Sequence, residues 1–259
     1  MKAMILAAGL GTRLRPLTDD RPKALVEVDG RTLLELTLSR LRAFGIRDVI
    51  VNVHHYAGLM QEYLKAKQNF GMHIEVSCED VLLDTGGGLK KAAWFFLEDS
   101  RSSTEPFILH NVDVLSSIDL GCMLRFHSER NALATLAVQE RKTSRYLLFD
   151  ENLQLCGRRS EPKQPPESDQ NQAGKTESVR PATDQLALAF SGIHIISSRL
   201  LPLLAEEGAF SIITSYLRLA AQGERIAGFR ADEYYWRDLG KPENVRQAAE
   251  DLKQKVLLQ

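Results

Sequence analysis

Two glycines one residue apart, an arginine just beyond them and a later Pro-Lys pair carry the clearest chemistry in this chain. They lie in "LAAGLGTRLRPLTDDRPKALV" (6–26), which holds Gly9, Gly11, Thr12, Arg13 and Pro22-Lys23. Glycines this close let the backbone approach an anion, and successive amides form a concave nest for phosphate oxygens. Arg13 adds a forked cation and Lys23 a second positive charge. Ala7, Ala8, Gly9, Gly11, Thr12, Arg13 and Lys23 therefore suit a triphosphate cradle, with Arg13 and Lys23 as its catalytic cations. Two other phosphate loops fit less well. A P-loop requires Gly-Lys-Ser/Thr, which does not follow here. A dinucleotide fingerprint requires a third glycine where Leu14 stands, and an acid where the second strand runs into Asn52-Val53-His54.

The elements that must hold this loop follow from hydrophobic periodicity. "KAMILAA" (2–8) reads as a strand buried on both faces, and it delivers the loop to the carboxyl edge of a parallel sheet. "TLLELTLSRLRAF" (32–44) reads as a helix stopped by Gly45, "DVIVNV" (48–53) as a strand and "AGLMQEYLKAK" (57–67) as a helix. "HIEVSC" (73–78) is a strand, "GLKKAAWFFLED" (88–99) a helix, and "PFILHNVDV" (106–114) a strand running into polar residues. Repeated β-α units of this length imply a parallel sheet covered by helices. Farther on, 132–138, 146–149, 186–196 and 225–229 read as strands, and 210–223 and 243–256 as helices. Residues 157–185 are rich in Pro, Ser, Gln and charge and read as a hydrophilic surface-loop insertion.

With 44% hydrophobic and 26% charged residues, the chain has an ordinary globular composition. A net charge of −1 gives no general attraction to nucleic acid or to an anionic membrane. Cys78, Cys122 and Cys156 are scattered and odd in number, which speaks against a disulfide framework or a zinc site and fits a reducing cytoplasm. No apolar run approaches the roughly 20 residues of a membrane helix.

The long pattern A-A-G-x-G-T-R-L-R-P-L-T followed by P-K-A-L resembles the signature of the sugar-1-phosphate nucleotidyltransferases, the NDP-sugar pyrophosphorylases. Further landmarks of that family follow in order over nearly the whole chain. The resemblance implies a reaction in which an NTP and a sugar 1-phosphate give an NDP-sugar and pyrophosphate, with Mg²⁺. It implies an α/β fold, a Rossmann-like three-layer sandwich with a mixed, mainly parallel sheet (the nucleotide-diphospho-sugar transferase fold). A small antiparallel addition near the sugar is expected. The expected organisation is one stand-alone domain over 1–259, with room for self-association.

The resemblance also implies a site. Asp113 in "LHNVDV" resembles the first metal-binding aspartate, although Val112 stands where the family has glycine. Asp238 in "WRDLGKPENV" resembles the second. Such a pair suits Mg²⁺, which takes one or two carboxylates and keeps its other positions for water and phosphate. Taken singly, each aspartate is as readily a turn residue or helix cap. "LLDTGGGLKKA" (82–92) falls where the family places its base-selecting loop, with Thr85 and Gly86 against the base. On the other reading it is a flexible turn capped by Asp84 or Thr85. Glu79 is expected to accept a hydrogen bond from a base N–H. Gly192 in "FSGIHII" resembles the glycine that approaches the sugar, whereas Glu161 and Lys163 are out of pattern for the family's Glu-Lys pair. His54 and His55 read as structural or solvent-facing.

"DTGGGL" is similar to the short N-acetylmuramate-1-phosphate uridylyltransferases and to the mannose- or heptose-1-phosphate guanylyltransferases. UTP with an amino sugar is favoured over GTP with mannose or heptose 1-phosphate. Two readings of other classes stand beside these: a nucleotide-sugar-binding regulatory module without turnover, and an NAD-dependent oxidoreductase.

Overall fold

Strand β1 (Lys2–Leu6) is central because nothing in it needs water: Ala3, Met4 and Ile5 are fully buried, on alternating faces. In a computed structural model, which describes residues 1–98, 105–161, 175–180 and 184–254, the chain continues through β2 (Glu27–Val28), β3 (Arg31–Thr32), α1 (Leu33–Ala43), β4 (Asp48–Val53), α2 (Ala57–Ala66) and β5 (His73–Cys78). Next come α3 (Asp84–Lys91), α4 (Ala93–Leu97), β6 (Pro106–Asn111), β7 (Val114–Ser116) and α5 (Leu120–Glu129). The second half holds β8 (Ala134–Gln139), β9 (Arg145–Phe149), β10 (Leu155–Ser160), β11 (Lys175–Ser178) and β12 (Leu186–Ser197). Helix α6 (Ile212–Ala221), β13 (Ile226–Arg230), β14 (Trp236–Asp238) and α7 (Pro242–Lys253) close the described chain.

The main sheet runs β11-β10-β9-β12-β6-β1-β4-β5, with β8 against β12 and β13 beside β8. Strands β6, β1, β4 and β5 are mutually parallel, as the β-α alternation predicts. Strand β12 pairs antiparallel with β6, β8 and β9, so the antiparallel part extends well beyond a small addition. Helices cover both faces. Leu34, Leu38 and Leu41 of α1 and Met60 of α2 pack with Ala3 and Ile5, while Leu89 of α3, Phe95 of α4 and Tyr216 of α6 pack with Met4 on the other face. Each such leucine, fully buried, contributes about 1.5–3 kcal/mol. Local signals set the helix starts: Thr32 caps α1 by accepting from Glu35 N at 3.1 Å, and Asp119 caps α5 through Gly121 N and Cys122 N.

Two expectations need correction. Helix α3 begins at Asp84, takes the glycine triplet into its first turns and stops at Lys91, so no single helix spans 88–99. Packing explains why a glycine-rich segment is helical. A Cβ on Gly86 would sit 2.2 Å from the Phe210 ring, on Gly87 2.4 Å from Gly208 O, and on Gly88 2.7 Å from Glu79 Oε1. Close tertiary approach outweighs the weak helix propensity of glycine. Within 157–185, residues 157–160 and 175–178 are not loop: they pair antiparallel as β10 and β11. Strand β11 is exposed throughout, so it needs no apolar run to betray it. Lys163 lies outside the described residues.

Candidate active site

The carboxyl ends of β1, β4 and β6 open on a cleft of about 540 Å³, lined in part by Ala8, Gly9, Arg13, Lys23, Thr85, Asn111, Asp113 and Asp238. Ala7 and Ala8 are buried at the end of β1. The Ala7 amide donates to Asn52 Oδ1 at 2.7 Å, so within the expected cradle it holds the loop and does not face the cleft. A Cβ on Gly9 would meet nothing within 4 Å, so this glycine faces open space. Gly11, at φ 64°, is followed by a 3-10 turn, Thr12–Leu14, pinned by fully buried Leu14. Thr12 is exposed and does not line the cleft, whereas Arg13 does.

Lys23 reaches the cleft because Gly11 leaves it room. A Cβ on Gly11 would come within 3.1 Å of Lys23 Cβ and 3.0 Å of Thr18 Cγ2, and Thr18 Oγ1 donates to Gly11 O at 2.9 Å. The glycine loop and the Pro-Lys segment are thus one packed unit. Lys23 Nζ donates to Asp113 Oδ2 in an ion pair whose side chains are only 13% and 11% exposed.

Asp113 and Asp238, far apart in sequence, are joined by backbone. Strand β14 pairs antiparallel with β7 so that Asp238 lies opposite Val114, and Leu239 N donates to Asp113 O at 2.7 Å. Asp238 Oδ1 also accepts from Gly240 N at 2.9 Å. Arg13 is beside it: a Cβ on Gly240 would lie 2.7 Å from Arg13 NH2 and 2.8 Å from Asp238 Oδ1. Behind β7, Arg40 donates to Ser116 Oγ at 2.6 Å and to Ile118 O, bracing the ladder from inside. Burial lowers the Arg40 pKa to about 10 against the opposing pull of Asp119. Burial, with Arg40 nearby, lowers that of neighbouring His110 to about 3.

No group of three or more His, Cys, Asp or Glu side chains is poised for a metal among the described residues. Asp113 and Asp238 both open on the cleft, and two carboxylates suit a hard divalent cation that completes its shell with water and phosphate.

Of the residues expected around the base, Thr85 reaches the cleft, whereas Glu79 and Gly86 are engaged within the protein. Glu79 is buried: Oε1 accepts from Asn52 Nδ2 at 2.7 Å and Oε2 from Leu83 N at 3.0 Å. It holds the loop and does not line the cleft. Asn52 is the residue that sequence reasoning passes over, since it bridges the phosphate loop at Ala7 to the base loop at Glu79 and itself lines the cleft. A polar residue in the apolar run "DVIVNV" is the available signal. Thr85 lines the cleft, while its Oγ1 accepts from Ile212 N at 3.0 Å. Neither Thr85 nor Asp84 caps α3; Gly86 is buried and donates its amide to Phe210 O at 2.9 Å. His54 is structural, bonded through Nδ1 to Glu79 O at 2.8 Å, and His55 is exposed.

On the acceptor side, Gly192 sits in a bulge of β12 at φ 76°, a backbone region that costs an L side chain roughly 1–2 kcal/mol. A Cβ there would press Val114 Cγ2 at 2.8 Å and Asn111 Nδ2 at 2.9 Å. Asn111 lines the cleft, and its Oδ1 is buried without a hydrogen-bond partner among the described residues. Glu161 is exposed and its amide donates to Ser144 O, away from this cluster.

Residues 2–255 match the model of a family described as Nucleotidyl transferase. The chain is 34% identical over 249 residues to the N-acetylmuramate alpha-1-phosphate uridylyltransferase of Caulobacter vibrioides, covering 93% of this chain and 92% of that one. It is 29% identical over 252 residues to the mannose-1-phosphate guanylyltransferase of Mycobacterium tuberculosis, covering 96% of this chain and 64% of that longer one. In fold it resembles a putative glucose-1-phosphate thymidylyltransferase from Bacillus anthracis (TM-score 0.75, 18% identity, 97% and 94% of the two chains). It also resembles HddC from Yersinia pseudotuberculosis complexed with GMP-PN (TM-score 0.73, 22% identity, 97% and 99% of the two chains).

Proposed function

The chain belongs to the nucleotidyl transferase family, and from that premise we propose that it is a sugar-1-phosphate nucleotidyltransferase using UTP and an amino-sugar 1-phosphate such as N-acetylmuramate 1-phosphate, with Mg²⁺ held by Asp113 and Asp238. One observation carries the reaction class: Arg13, Lys23, Asp113 and Asp238 line one cleft beside the glycine loop. Full-length similarity to the Caulobacter enzyme supports the substrate pair. GTP with mannose 1-phosphate is the second reading, supported by the mycobacterial relative.

In this reading a phosphate oxygen of the sugar attacks the α-phosphorus, the bond to the β-phosphate oxygen breaks, and pyrophosphate leaves. The attacking oxygen is already anionic, so no general base is required, and the barrier lies in bringing two polyanions together in line. Mg²⁺ supplies charge neutralisation and orientation at the α-phosphate when bound. Lys23, close against Asp113, is placed to exchange that carboxylate for phosphate oxygens. Arg13, beside Asp238, offers its fork to the triphosphate. Thr85 and the loop before α3 face the base, and Gly192 lets β12 pack directly on Val114 and on Asn111, whose side chain lines the cleft. A regulatory module without turnover would have little use for two cations and two carboxylates in one cleft. Pyrophosphate release with UTP, GTP, dTTP, ATP and CTP against a panel of sugar 1-phosphates tests the reading. Release with UTP and N-acetylmuramate 1-phosphate is expected, and no release with any pair from folded, nucleotide-binding protein defeats it.

A further inference from the structure

Beside Gly192 stands a cation that the triphosphate reading leaves unused. Arg141, between β8 and β9, lays its guanidinium over the Trp236 ring, 3.6 Å from the centroid. One of its nitrogens donates to Phe190 O at 2.7 Å, and Trp236 Nε1 donates to Ser191 O at 2.7 Å. Arg141 and Trp236 thus grip the two residues just before Gly192 and fix the bulge. The Nε of Arg141 is buried, with no hydrogen-bond partner among the described residues. A guanidinium stacked on an aromatic face keeps its N–H edge free, because ring contact uses the face and hydrogen bonds lie in the plane. Leaving a buried charged donor unpaired is costly, so such a group is expected where a ligand completes it.

Position points to the ligand. Trp236 and Asp238 are two residues apart on β14, so their side chains leave the same face of the strand. The guanidinium on Trp236 therefore lies toward the strand face that Asp238 shares, and Asp238 is a carboxylate whose charge acts on it. Lys23 is engaged with Asp113, and Arg13 lies by Asp238 near Gly240. Two anions must meet in the cleft, a triphosphate and a sugar phosphate, and the first has the glycine loop with Arg13 and Lys23.

We infer that Arg141 binds the phosphate of the acceptor sugar 1-phosphate through its free N–H edge, with Trp236 holding the guanidinium in plane and Asn111 Oδ1 accepting from a sugar hydroxyl or amide. The inference rests on the proposed function. It makes Arg141 the acceptor-phosphate cation in a chain whose Glu161 is exposed just beyond β10.

Steady-state pyrophosphate release by wild-type protein, Arg141→Lys and Arg141→Met, with N-acetylmuramate 1-phosphate and mannose 1-phosphate varied in turn, tests it. A lost charge-assisted hydrogen bond corresponds to a KM for the sugar 1-phosphate raised roughly 10- to 100-fold in Arg141→Met. The KM for the NTP should stay within about twofold, and Arg141→Lys should recover part of the loss. Partial unfolding lowers kcat but leaves KM unchanged, so the readout survives a weakened fold. An unchanged sugar 1-phosphate KM in Arg141→Met overturns the inference, as does an equal rise for the NTP. A rise confined to N-acetylmuramate 1-phosphate also overturns it, because Arg141 would then read the carboxylate of the sugar. Absence of wild-type turnover with every pair defeats the functional reading itself, whereas normal wild-type turnover with unaltered variants defeats the Arg141 assignment alone.

Discussion

Replacing Asn52 with aspartate changes one atom and should turn the joint between the phosphate and base loops into a proton-dependent latch. Asn52 Nδ2 is 2.7 Å from Glu79 Oε1, and both residues are buried. Asn52→Asp keeps the acceptor for the Ala7 amide but sets two carboxyl oxygens face to face. With both ionised, repulsion at that distance is on the order of 6 kcal/mol at an effective dielectric constant near 20. Keeping one proton costs less: holding a carboxyl of ordinary pKa about 4.3 neutral at pH 7 costs about 4 kcal/mol. The folded variant therefore retains a shared proton, and the pair has an apparent pKa raised above its unfolded value. A raised folded pKa gives stability that is complete below about pH 4 and drains away as pH rises. Urea denaturation of wild-type and variant from pH 5 to 7.5 should show the variant's deficit growing by about 1.4 kcal/mol per pH unit. Pyrophosphate release by the variant should recover toward acid pH in parallel. A deficit of the same size at pH 5 and pH 7.5 would refute the reasoning, since it would mean that Glu79 and Asn52 do not share a dry contact.

Three further outcomes are expected. Asp113→Asn should leave the fold intact and lower metal-dependent pyrophosphate release by roughly 10²-fold or more, as losing one electrostatic stabiliser does elsewhere; full activity would remove Asp113 from the site. Gly192→Ala, at φ 76° and pressing Val114 and Asn111, should destabilise the fold by about 2–4 kcal/mol and raise the sugar 1-phosphate KM, as read by urea midpoint and kinetics. Burial lowers the His194 and His110 pKa values to about 3, with His110 adding to the shift of His194 and Arg40 to that of His110. Their folded pKa lies below the unfolded value of about 6.5, so the associated stability is present above pH 6.5 and is lost as pH falls toward 3. The loss is on the order of 2 kcal/mol per ring at pH 5. Neither ring should titrate in proton NMR spectra between pH 7.5 and 5, and protonation of either in the folded protein within that range would contradict this.

What can be read from the sequence divides along a physical line. Strand β4 falls on "DVIVNV" because a buried parallel strand is a local apolar run, and β5 falls on "HIEVSC" at the sheet edge with only Ile74 and Ser77 buried. Helix α1 follows from its leucine spacing and the Gly45 stop, while its Thr32 cap is seen only in the structure. The placing of Arg13 and Lys23 in one cleft is legible because both are close in sequence to the glycine loop. Glu79 and Asn52 are not, because their roles depend on each other: a lone Glu after a strand reads as a ligand group until its partner is seen to occupy it. The glycine triplet reads as flexible because nothing nearby in sequence announces Phe210 or the Gly208 carbonyl overhead. Arg141 carries no local signal at all, since its significance is created by Trp236, a residue nearly a hundred positions later.

The β7–β14 ladder has a wider consequence. Because Leu239 N bonds Asp113 O and Asp238 faces Val114, the interval between the two carboxylates is set by main-chain geometry, whatever the length of chain looped out between them. Strands β8 to β12, with the segment between β10 and β11, all lie within that excursion. Changes of length in the connections within that excursion therefore leave the interval between Asp113 and Asp238 as it is, whereas β12 itself is tied into the sheet by its pairing with β6.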